Sequence, residues 1–164
     1  MSTIIDRGLV AEHNTRLQAN LDADYAALGG MLLRRGLDIE RLTTLAQTFA
    51  VALPSWGVGS GGTRFARFPG IGEPRNVVEK LEDCGVIQQL TQATPTVSLH
   101  FPWDSTSDPA ALREIAQAYG LGFDTVNSNT FQDQAGQAQT YKYGSLTAGN
   151  AGVRAQAVQH NIDC

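Results

Sequence analysis

The 164 residues carry 12 Lys and Arg against 16 Asp and Glu, a net charge of -4, and 42% of them are hydrophobic. That apolar share, with charged residues at 17%, supplies a packed core and excludes a chain disordered throughout. No basic stripe exists to neutralise phosphates, which argues against a nucleic-acid partner, and no apolar run approaches the roughly 20 residues that span a bilayer.

The two cysteines, Cys84 and Cys164, and the lack of a basic start followed by an apolar run and a small-residue cleavage site predict a cytoplasmic protein with reduced thiols. From Ile4 to about Arg35, Leu9, Leu17, Leu21, Tyr25, Leu28 and Leu32 recur at helical steps, predicting an amphipathic helix. Asp38 reads as the N-cap of a second helix reaching about Thr48. Residues 1–48 are thus expected to form a helical extension ahead of an α/β segment, 49–164.

Phe49 to Trp56 is a nearly continuous apolar run, as in a strand covered on both faces of a parallel sheet. A Gly-rich loop from Gly57 to Glu73 follows, with Phe65, Phe68, Arg64 and Arg67 among its glycines. Pro74 is placed to open a helix whose apolar face, Val77, Val78, Leu81, Cys84, Ile87 and Leu90, runs to about Thr94. Thr96–Phe101 is a second strand, and Asp108-Pro109 signals an N-cap with Pro in the first turn of a helix that Gly120 ends. Phe123–Ser128 is a third strand; after a polar loop, Ala151–Cys164 is helical. Strands alternating with helices make an α/β fold with parallel strands, either an open doubly wound sheet or part of a barrel.

Gly57-Val-Gly-Ser-Gly-Gly62 fits G-x-G-x-x-G, yet the helix that should start within it is postponed past Pro69, Gly70, Gly72 and Pro74. Without a helix N-terminus at the glycines there is nothing to meet a pyrophosphate, so dinucleotide binding is set aside. Position along the strands is more informative. Each strand ends in residues suited to sugar binding or proton transfer: Trp56; His100 with Trp103 and Asp104; Asn127, Asn129 and Phe131. In parallel α/β proteins the carboxyl ends of strands carry the site. His100 is the candidate proton-transfer group, and Asp104, four residues on, is placed to orient its ring and raise its proton affinity. His13 and His160 sit in helical patterns as surface or packing residues, Cys84 on an apolar face is inert, and no metal-ligand constellation is assembled.

Val51-Ala-Leu-Pro-Ser-Trp-Gly-Val-Gly59, Gly61-Gly-Thr-Arg-Phe-Ala-Arg-Phe-Pro-Gly70, Val97-Ser-Leu-His-Phe-Pro-Trp-Asp104, Gly122-Phe-Asp124 with Asn127-Ser-Asn-Thr-Phe131, and Tyr141-Lys-Tyr-Gly-Ser-Leu146 closely resemble the N-terminal part of bacterial L-rhamnose isomerases of the broad-specificity type. The resemblance implies the first three βα units of a xylose-isomerase-like TIM (β/α)8 barrel. It also implies a homotetrameric aldose–ketose isomerase, dependent on a divalent metal, commonly Mn2+, acting on L-rhamnose, L-rhamnulose and related free sugars. Carried over by position, Trp56 and Phe131 line the sugar site, His100 contacts substrate and assists ring opening, and Phe65 reaches from the Gly57–Glu73 loop into a neighbouring subunit. The Asp104 role rests on spacing alone.

A full barrel takes about 250 residues. The resemblance therefore makes this sequence a fragment whose metal ligands lie beyond residue 164, inactive by itself. A non-catalytic sugar-binding or assembly module, or a barrel epimerase or endonuclease relative, is the alternative.

Overall fold

A computed structural model describes residues 6–59, 61–62, 67–68 and 70–164. Helix α1 spans Arg7–Leu33, and its N-cap Asp6 accepts a 2.8 Å bond from the Gly8 N–H. Helix α2, Ile39–Gln47, starts at the expected cap, Asp38, whose carboxylate takes the Glu40 N–H at 2.9 Å. The two helices meet where Tyr25 donates to Glu40 and shares a hydrogen bond with Thr43. The apolar stripe of α1 is not buried by the rest of the described chain, for Leu9, Leu21 and Leu28 remain exposed.

Three strands, β1 (Ala52–Pro54), β4 (Thr96–Phe101) and β5 (Gly122–Ser128), form a parallel sheet in the order β1-β4-β5. The expected strand from Phe49 to Trp56 shrinks to three residues, because Ser55–Gly57 turns into a 3-10 helix directly after Pro54. Proline removes a ladder donor, and β1 accordingly sits at a sheet edge and is only partly buried, rather than covered on both faces. Within the Gly57–Glu73 segment, β2 (Gly61–Gly62) and β3 (Arg67–Phe68) pair as a short antiparallel ladder.

Helix α3 occupies Val77–Thr91 and α4 Pro109–Ala118. Pro74 does not open α3; Asn76 does, accepting from the Glu79 N–H at 3.0 Å while Glu79 reaches back to the Arg75 N–H at 2.7 Å. This near capping box satisfies donors that proline at position 74 leaves untouched. Around α4, Asp108 takes the Ala111 N–H and Gly120 follows the helix at φ +70°, both as the sequence implies.

Because β4 and β5 are added successively on the same side of β1, right-handed crossovers place α3 and α4 on one face of the sheet. The core confirms that placement: Val77, Leu81 and Cys84 of α3, Leu112 and Ala116 of α4, Val97 and Leu99 of β4 and Leu121 form one buried cluster. The helices approach so closely that a Cβ on Gly85 would lie 2.7 Å from the Tyr119 ring. Strand alternation then turns Ser98 and His100 to the face opposite that cluster. A smaller cluster, Tyr141, Ala148, Val153 and Ala157, ties the long loop after β5 to helix α5, Ala151–Asp163. No helix among the described residues is long and apolar enough to cross a membrane.

Candidate active site

His100, at the carboxyl end of β4, is 2% exposed. Its imidazole stacks on Trp103 at 4.1 Å between ring centroids and 15° between planes. Trp56, in the 3-10 turn after β1, presents an edge at 5.5 Å, and Phe131, in the loop after β5, another at 5.9 Å. Trp56, His100 and Phe131, from the ends of three strands, are thus brought together as the sequence suggests. Phe65 lies outside the described residues. Asn127 stands beside His100 in register on β5. Asn129 is fully buried and structural: its N–H bonds Phe101 O at 3.0 Å, and its side chain pairs with Gln132 beyond Phe131.

Neither Nδ1 nor Nε2 of His100 has a hydrogen-bond partner among the described residues. Two buried polar nitrogens without partners are costly unless something bonds them, which makes this imidazole the group on the rim most in need of a bonding partner. Burial pulls the His100 pKa below its ordinary 6.5; the Asp104 charge opposes that shift and the Lys80 charge adds to it. A neutral imidazole offers one donor and one acceptor.

The expected Asp104–imidazole contact is not made. The Asp104 carboxylate, wholly buried, instead takes the backbone N–H of His100 at 2.7 Å, the Ser55 hydroxyl, and the Lys80 ammonium at 2.6 Å. The reason is local: the Asp104 N–H bonds His100 O at 2.8 Å, closing a turn that aims the carboxylate at the main chain while the ring extends away to Trp103. Asp104 therefore does not orient the ring by direct contact; its charge raises the ring's proton affinity as expected, but burial outweighs it.

Lys80 and Ser55 were not visible as site residues in the sequence pattern. A signal for Lys80 exists: a lone charge three residues after Val77 and four before Cys84, on the buried side of α3. Cys84, also buried there, has its thiol pushed up to about 11 by burial and by the Asp83 and Asp104 charges, as befits an inert packing residue. His13 bonds Arg16, and His160 lies 3.8 Å from the Cys164 sulfur. Among the described residues no three His, Cys, Asp or Glu side chains converge to hold a metal ion.

The chain is 56% identical over 162 residues to a protein of Mesorhizobium japonicum, covering 99% of this chain and 37% of the relative. It is 54% identical over 164 residues to a protein of Rhizobium meliloti, covering 100% of this chain and 38% of the relative. Both homologues are named probable sugar isomerase. This chain therefore spans somewhat over a third of the length of the curated relatives it matches. No protein-family model matches it.

Proposed function

We propose that this chain forms the sugar-binding, ring-opening part of an aldose–ketose isomerase, with L-rhamnose and L-rhamnulose as the leading substrate pair. The observation that carries the reading is the buried imidazole whose two nitrogens find no partner among the described residues, set beside three aromatic rings at the carboxyl ends of parallel strands. Aromatic walls suit the C–H faces of a sugar ring, and a donor–acceptor pair suits its oxygens. The names of the two homologues support the same substrate class. Placement of α3 and α4 on one face, with strands added in sequence, supports a barrel segment over a doubly wound sheet.

In this reading His100 acts on the cyclic sugar. Ring opening breaks the bond between C1 and the ring oxygen, gives that oxygen a proton and removes one from the anomeric hydroxyl; a neutral imidazole has a group for each transfer. Trp56, Trp103 and Phe131 exclude water and hold the ring against it. The divalent metal, Mn2+ by resemblance, draws no ligand set from the described residues. The exposed Phe68 and Ile71 support the Gly57–Glu73 segment as a subunit contact of a homotetramer.

The test is to incubate the protein made from its complete gene with L-rhamnose, with and without chelator, and follow ketose by NMR. Metal-dependent conversion that His100→Asn abolishes is expected. Binding without conversion would favour a non-catalytic sugar-binding module, and neither would overturn both.

A further inference from the structure

Three elements meet at the Asp104 carboxylate. Lys80 comes from α3, Ser55 from the 3-10 turn after β1, and the His100 N–H from the end of β4. Ser55 precedes Trp56 in the same turn and Asp104 directly follows Trp103. One buried anion thus ties together the two backbone segments that carry Trp56 on one side and the His100–Trp103 stack on the other. A salt bridge with side chains 8% and 0% exposed is weak evidence for stability, since desolvation offsets most of its attraction. It does fix geometry, because neither charge can move without losing its partner.

We propose that Lys80, Asp104 and Ser55 are positioning residues that set the separation between the Trp56 indole and the His100–Trp103 stack, and with it the direction of the imidazole nitrogens. The purpose given to that geometry rests on the sugar-isomerase reading; the geometry itself does not. No atom of the three needs to touch substrate. The hydroxyl of Ser55 is the informative handle, because removing it leaves the Lys80–Asp104 pair intact.

The experiment uses the protein made from its complete gene, with Ser55→Ala and the conservative Ser55→Thr. The His100 ring C–H resonances, shifted by the neighbouring aromatic rings, report its position by NMR without any sugar present. Ser55→Ala should move those resonances and lower kcat/KM for the sugar by about tenfold to a hundredfold, as an ångström-scale displacement does. Ser55→Thr should restore both. A lowered melting temperature with unmoved resonances would mean a merely structural role and overturn the proposal. If the resonances move but no sugar is ever turned over, positioning stands and the isomerase reading fails. Should Ser55→Ala not fold, the wild-type His100 amide decides: exchange with solvent only on global unfolding supports a bond to Asp104, and exchange as fast as an exposed loop amide overturns it.

Discussion

Consider replacement of Asp104 by Asn. The side chain keeps its shape but loses its charge, and the carboxylate it replaces serves three donors through two oxygens: Lys80 on Oδ1, Ser55 and the His100 N–H on Oδ2. If the amide oxygen stays with Ser55 and His100, its NH2 faces the Lys80 ammonium, donor against donor, in a site with almost no access to water. Breaking a buried pair from one side costs about 3–5 kcal/mol, chiefly for the charge left behind. Against a typical total of about 5–15 kcal/mol this is a large loss. Lys80→Met should cost somewhat less, because the carboxylate keeps two donors. The double variant removes both charges, leaves an amide oxygen for Ser55 and His100, and should fall within about 1 kcal/mol of the native protein. Urea unfolding at constant m gives the cycle. A coupling energy above about 2 kcal/mol is expected, where exposed pairs give about 0.2–1. Coupling below about 1 kcal/mol would refute the claim that this pair is desolvated.

Burial holds the His100 pKa below 6.5, so the unfolded chain binds more protons just under that pH: stability is fully present above it and is lost as pH falls through the depressed value. The urea midpoint should therefore drop as pH falls below 6.5, and drop less in His100→Phe. Trp103→Ala, by admitting water beside the ring, should raise the His100 pKa toward 6.5, read by NMR titration, and weaken sugar binding. Gly85→Ala would set a methyl 2.7 Å from the Tyr119 ring and should cost about 1–3 kcal/mol in thermal unfolding, largely recovered by Tyr119→Ala. Cys164, exposed, should react with a thiol reagent in the native protein, while buried Cys84, its thiol pushed up to about 11, should react only after unfolding.

Elements bracketed by strong local signals were legible in the sequence. Asp108-Pro109 and Gly120 bound α4, the apolar run Thr96–Phe101 is β4, and Asp38 caps α2, each because the local chemistry and the tertiary fold ask for the same thing. Where two signals competed, the sequence misled. Pro74 was a weaker helix start than Asn76 with Glu79, and an apolar run through Trp56 hid a 3-10 turn. The convergence of Trp56, His100 and Phe131 was legible because strand ends of a parallel sheet share one rim. The network under that rim was not. Spacing placed Asp104 near His100 but could not say whether it meets ring or backbone, and Ser55 and Lys80 lie 49 and 24 residues from their partner. Such contacts depend on how separate elements pack, which periodicity does not encode.

The proposed function stands or falls on contact between His100 and the sugar. The most direct measurement is an NMR titration of the protein made from its complete gene with L-rhamnose, following the His100 ring resonances. Those resonances should shift and saturate, with a weaker effect in Trp103→Ala; resonances indifferent to L-rhamnose and to every related free aldose or ketose would rule out His100 as the sugar contact.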